Sequence, residues 1–163
     1  MQLPADAPTT VFEALARAAA RHCERPCLAV LPETARAYGV AAGELSYRDA
    51  FTRVLELSAA YRAQGYGHGH RVGILLENRP AFFLHWYALN RLGVSLVPIN
   101  PDLRSAELEY LVGHSDVVAV VAVRHRQPDI LGVANAIGAR ISAAGPDDTP
   151  AHIWVPEIGR AHV

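Results

Sequence analysis

Three groups of residues carry side chains capable of chemistry, and none forms a complete active site in the sequence. Gly67-His68-Gly69-His70 places two imidazoles two residues apart, half of a metal site. No carboxylate, cysteine or further histidine sits close enough in sequence to complete the coordination, so the segment reads as a solvated turn before a strand. Arg124-His125-Arg126 follows an apolar run and offers either a cation cluster facing a phosphate or a solvated loop. The serines (Ser46, Ser58, Ser95, Ser105, Ser115 and Ser142) lack the G-x-S-x-G elbow that exposes a nucleophile, and Ser46 and Ser105 are better explained as helix caps. His85 lies in the most apolar helical stretch and reads as a core histidine, with a cavity-lining role as its alternative. His114 suits a helix C-terminus, where a cation is favoured. Cys23 and Cys27 stand four apart with Pro26 between them, which ends a helix before both could share a face; they read as small, partly buried thiols.

Composition narrows the chemistry further. The chain has 163 residues, of which 51% are hydrophobic and 19% charged, so it can bury a core. Its formal charge of −1 gives no electrostatic preference for nucleic acid or an anionic membrane. All 15 basic residues of the Lys+Arg total are arginine, so no side chain can form a Schiff base and no P-loop lysine is present. The first ten residues lack the basic and apolar regions of a signal peptide. No apolar run approaches the ~18 residues of a membrane span, so a soluble, cytoplasmic protein without a transmembrane segment is expected.

The elements that must position these groups follow from periodicity. Thr10-Val11-Phe12-Glu13 is a capping box opening a helix that ends near His22. Cys27-Leu28-Ala29-Val30-Leu31 is a short strand, and residues 32–44 read as a loop or hairpin connection. Ser46 caps a second helix with Ala50, Val54, Leu57 and Tyr61 on its buried face. Then comes an alternation. Strand 72–76, a nearly all-apolar helix 81–92 stopped by Gly93, and strand 94–99 are followed by a helix capped by Asp102 or Ser105 and stopped by Gly113, and by strand 117–123. A weaker helix over 130–138 and a strand near Ile141 continue the pattern, and 146–150 is a loop. Strand and helix alternating with short connections predict an α/β fold: a parallel βαβ sheet with helices on both faces. The turns after the strands (Glu77-Asn78-Arg79-Pro80, Asn100-Pro101-Asp102 and Arg124-His125-Arg126) match neither G-x-G-x-x-G nor the P-loop, so no dinucleotide or P-loop site is expected there.

Several ordered pieces resemble one enzyme family. Leu45-Ser46-Tyr47-Arg48-Asp49 resembles a helix start with Ser/Thr-Tyr followed by an acid. The run from Gly67 through Arg71-Val72-Gly73-Ile74 to Asn78 resembles a Gly-Asp-Arg-Val turn and strand ending in Asn. The segment Trp86 to Asn100-Pro101, with Gly93 and Pro98, resembles a helix–Gly–strand unit ending in Pro-Ile-Asn-Pro. Arg104, Glu107, Leu108 and Tyr110 continue it as an Arg-x-x-Glu-Leu-x-Tyr helix. Together, over about residues 9–125, they resemble the N-terminal subdomain of the AMP-forming acyl-CoA synthetases. These belong to the adenylate-forming superfamily, which includes luciferases and peptide-synthetase adenylation domains.

The resemblance implies an ATP-dependent ligase that joins a carboxylic acid, fatty or other, to CoA through an acyl-adenylate, with ATP, Mg2+ and CoA as cofactors of the full-length enzyme. It also implies that the phosphate loop ending in Pro-Lys-Gly, the magnesium-binding motif, the ribose-binding Asp and the C-terminal lysine lie beyond residue 163. Residues 1–156 would then be a truncated N-terminal synthetase domain, the first third of such an enzyme, inactive alone. No catalytic or metal-binding residue is expected within it, and sheet edges left open would make it poorly soluble. Arg104 is the one residue the resemblance points to, as a contact for a CoA phosphate, with a surface arginine at a helix start as its alternative. Gly69-His70-Arg71 departs from the family's Gly-Asp-Arg by losing a turn carboxylate. Glu157 to Val163 follows no pattern and looks like a translated adapter, a non-native tail. Two other readings stand beside the ligase fragment: a non-enzymatic α/β binding module, and a fragment of an amino-acid adenylation domain.

Overall fold

Thr10 opens the first helix, α1 (Val11–His22), by accepting a hydrogen bond from the Glu13 amide through its hydroxyl at 3.1 Å. The other half of the expected capping box is displaced by one residue. The Glu13 carboxylate takes the Thr9 amide and hydroxyl, at 2.7 and 2.9 Å, and these bonds hold its pKa below the usual range. The computed structural model describes residues 7–150; the expected tail at 157–163 lies outside them.

After α1 the chain forms β1 (Pro26–Val30), α2 (Pro32–Tyr38) and β2 (Gly43–Ser46). The strands pair antiparallel as a separate two-stranded sheet. The expectation of a loop over 32–44 is therefore corrected to a short helix and a strand. Pro32 sits where a missing N–H costs nothing and Glu33 favours the first turn, while Gly39 ends the helix at φ +63°. Seven residues are too few for apolar periodicity to mark them.

Ser46 caps α3 (Tyr47–Ala63) as expected, its hydroxyl accepting from the Asp49 amide at 3.1 Å. The parallel unit then follows in chain order: β3 (Arg71–Leu75), α4 (Pro80–Arg91), β4 (Ser95–Pro98), α5 (Ser105–His114), β5 (Ala119–Ala122), a 3-10 turn at Arg124–Arg126, α6 (Gln127–Ala136) and β6 (Ser142–Ala144). All pairings in this sheet are parallel, in the order β4-β3-β5-β6. The fold class read from the alternation is the one observed.

Right-handed crossovers decide which helices cover which face. From β3 the chain moves one way to β4, placing α4 on one face; from β4 to β5 to β6 it moves the other way, placing α5 and α6 on the opposite face. The packing agrees: α1, α3 and α4 contact one another, and α5 contacts α6. Val72, Ile74, Leu75 and every residue of β5 are buried, so these central strands are apolar throughout rather than alternating. Gly73 lies in the middle of β3, where an added Cβ would stand 2.8 Å from Ile99 Cδ1 and 3.1 Å from Val120 Cγ2. A methyl group there would force both side chains to shift. Pro98, which has no amide hydrogen to give, lies on an edge strand.

Both boundaries of α5 differ from expectation, and α6 starts at Gln127 rather than near 130. Neither Asp102 nor Ser105 caps α5. Arg104 occupies the cap position and its amide is taken by the Glu107 carboxylate at 2.9 Å, while the Asp102 amide is engaged by Asn100 Oδ1 at 3.0 Å. Gly113 does not stop the helix, which runs on to His114; the chain turns at Asp116, with φ +52°.

Candidate functional site at the carboxyl end of the parallel sheet

Open parallel sheets take ligands in the crevice where successive crossovers leave in opposite directions. Here that point lies over the carboxyl ends of β3 and β5, and a cleft of about 1170 Å3 opens there. Its walls come from the end of α2, the exposed side of α3 at Arg53 and Glu56, the turn after β3, the turn after β5 and the loop 146–149.

The turn after β3 supplies an ion pair that no motif had marked. Arg79 Nη2 stands 2.6 Å from Glu77 Oε2 and also donates to the Tyr38 carbonyl at 3.1 Å, with only 11% and 19% of the two side chains exposed. The pair ties the end of α2 to the turn after β3. The sequence showed Glu77-Asn78-Arg79-Pro80 only as a turn without glycines; the partner from α2 was hidden with the helix itself.

The loop 146–149 is held from below. His85 is fully buried; its Nδ1 faces the Tyr61 hydroxyl at 2.8 Å and its Nε2 faces the Pro146 carbonyl at 2.9 Å. A carbonyl only accepts, so Nε2 carries the hydrogen and Nδ1 accepts from Tyr61. Burial pushes the imidazole pKa below its ordinary value, more than the Pro146 carbonyl, Asp147 and Asp148 raise it, which favours the neutral ring. His85 is the satisfied core histidine expected from its surroundings. Through Pro146 it also anchors one rim of the cleft.

The other candidate groups do not assemble. His70 is buried, not solvated as expected: its Nδ1 accepts from the Gly67 amide at 3.0 Å, because the tight Gly67–His70 turn folds the ring inward against Tyr66. His68 is exposed and lies over Gly93. Among the described residues no three or more His, Cys, Asp or Glu side chains cluster as a metal site. Cys23 and Cys27 are free thiols, and burial raises the pKa of Cys27. Ser58 donates to the Ala88 carbonyl at 3.1 Å inside the core, joining α3 to α4. His114 closes α5 by facing the Tyr110 carbonyl at 2.8 Å.

The basic triplet divides. Arg124 and His125 are exposed and line the cleft, whereas Arg126 turns inward to backbone carbonyls and Asp129. Arg104 is exposed at the start of α5, on the same carboxyl edge of the sheet but outside the cleft wall.

Comparison with known proteins fits this geometry. The family model of the AMP-binding enzymes matches residues 15–153. Tyrocidine synthase 3 of Brevibacillus parabrevis is 28% identical over 121 residues, covering 74% of this chain and 2% of that protein. The 4-hydroxybutyrate–CoA ligase 2 of Metallosphaera sedula is 28% identical over 105 residues, covering 64% of this chain and 19% of the ligase. Among solved structures, the anthranilate CoA ligase AuaEII in complex with anthranoyl-AMP superposes with a TM-score of 0.72 at 18% identity, over 88% of this chain and 27% of the other. The chain thus spans a fiftieth to a fifth of the length of these two sequence relatives. With the family model matching from Leu15 through the end of the parallel unit, the chain belongs to the AMP-binding enzyme family.

Proposed function

We propose that this chain is the N-terminal portion of an ATP-dependent acyl-CoA ligase. The match of the family model across the whole parallel unit supports this, and a CoA ligase and an acyl-adenylate complex stand among its relatives. In the proposed reaction a carboxylate oxygen attacks the α-phosphorus of ATP. An O–P bond forms, the bond to the bridging oxygen breaks, and pyrophosphate leaves. The CoA sulfur then attacks the acyl carbonyl carbon. The C–S bond forms, the C–O bond to AMP breaks, and the thiol proton passes to solvent.

Among the described residues no three His, Cys, Asp or Glu side chains cluster, and the chain has no lysine; in this reading the groups that hold Mg2+ and the triphosphate belong to the remainder of the ligase. The share of this segment is architectural, one flank of the sheet whose carboxyl edge carries the cleft. Arg104 is the exception: it is exposed at the start of α5 on that edge, and in this reading its guanidinium meets a CoA phosphate.

The 163-residue chain should show no ATP–pyrophosphate exchange above background with any carboxylate, and exchange by the isolated chain would overturn the reading. The product of the continued reading frame should exchange and then form a thioester on free CoA. The likeness to tyrocidine synthase 3 favours a second reading, an amino-acid adenylation domain. Exchange with amino acids and acyl transfer only to a carrier-bound phosphopantetheine would decide for it.

A further inference from the structure

The inward-turned member of the basic triplet does work that the proposed reaction has not used. Arg126 precedes α6, and its guanidinium is spent in three directions. Nε meets Asp129 Oδ2 at 2.6 Å, Nη2 donates to the Leu103 carbonyl at 2.8 Å, and Nη1 donates to the Pro101 carbonyl. Only 15% of the side chain is exposed. Both carbonyls belong to the turn that joins β4 to α5. In the sheet, β4 and β5 are not neighbours, because β3 lies between them. Arg126 therefore reaches from the turn after β5, past the end of β3, to the turn after β4.

The rest of that turn is equally constrained. Asn100 Oδ1 accepts from the Asp102 amide at 3.0 Å, the Asn100 carbonyl accepts from the Leu103 amide at 3.2 Å, and Glu107 accepts from the Arg104 amide at 2.9 Å. These bonds constrain the chain from Asn100 to Arg104, whose last residue is exposed. A planar fork carries its donors on three nitrogens at fixed spacing and so reaches two carbonyls and a carboxylate set apart, whereas a lysine ammonium offers its three donors from a single point.

We infer that Arg126 is a positioning residue: it clamps the Asn100–Arg104 turn so that the Arg104 guanidinium is presented at a fixed place to the phosphate of CoA. The inference rests on the reading of Arg104 given above. Asp129 orients the clamp.

Two measurements test the two parts separately. In the 163-residue chain, Arg126→Ala should speed amide hydrogen exchange at Asp102 and Leu103 by about tenfold or more while leaving β3 and β5 protected. Arg126→Lys should fall between, and serves if the alanine variant does not fold. Unchanged exchange at those amides in both variants overturns the clamp. In the full-length ligase, Arg126→Ala and Arg104→Ala should each raise KM for CoA about tenfold, with ATP–pyrophosphate exchange within about twofold of the parent. If Arg104→Ala leaves KM for CoA unchanged, the phosphate contact is wrong, and hydrogen exchange still decides the clamp. If Arg126→Ala slows adenylation as much as thioester formation, the residue is merely structural and the positioning role is overturned.

Discussion

The two sheets of this molecule are built from similar short strands and differ in what surrounds them. In the parallel sheet, β3 and β5 are covered on both faces and nearly every side chain is buried. In the antiparallel pair, β1 has exposed and half-buried positions only, and β2 likewise. The first sheet is a core whose carboxyl edge carries the cleft; the second is a ribbon that α3 holds against the helical layer. Burial, not strand propensity, sets how much each residue matters, because the free energy of a buried side chain scales with the area it removes from water.

The contrast can be broken or sharpened by substitution, read as the shift of the urea midpoint at constant m. Leu89→Ala should have the largest effect, about 4 kcal/mol, because Leu89 is fully buried beneath the sheet and truncation leaves a cavity. A cost under about 1 kcal/mol would show the core to be loosely packed. His85→Phe should cost about 3 kcal/mol by stranding the Tyr61 hydroxyl and the Pro146 carbonyl. It also carries a pH signature. The folded pKa of His85 lies below its ordinary 6.5, so the unfolded chain takes up the proton first and stability is lost as pH falls from the ordinary imidazole range through the folded value. The parent should therefore weaken over that interval more steeply than His85→Phe, and parallel pH profiles would contradict the burial of a neutral ring.

Gly73→Ala should cost about 2 kcal/mol, since Ile99 and Val120 must shift to admit the methyl group. Ser46→Ala, which removes the cap of α3 at the junction of the two regions, should cost about 1 kcal/mol. Ala29→Thr, on the exposed face of the ribbon, should stay within about 0.5 kcal/mol. A large loss there would mean that the ribbon is as tightly specified as the core.

Legibility in the sequence followed the same division. The alternation from Val72 to Val123 was readable because each element is long or apolar enough to show its period, and Gly93 and Ser46 acted as their residue types require. The segment 32–44 was not readable. α2 is seven residues long and half-exposed, so its helix start at Pro32 and its Gly39 stop were the only signals. At the site, His85 was correctly placed in the core from its apolar neighbours. His70 reads as part of a solvated turn because the stretch is glycine-rich, whereas its ring is buried and packs against Tyr66. The Arg124-His125-Arg126 triplet looked uniform, yet one member faces inward and two line the cleft.

The amino-acid order alone determined the parallel α/β class, the helix caps at Thr10 and Ser46, and the absence of any lysine-dependent chemistry from this chain. These depend on local periodicity, short-range hydrogen bonding and composition. Only the tertiary structure decided that Arg79 pairs with Glu77 under α2, that His85 anchors the loop at Pro146, and that Arg126 grips the turn before Arg104. Each joins groups separated in sequence or turned by packing, and the order of strands in the sheet, not the order of residues in the chain, determines which of them meet.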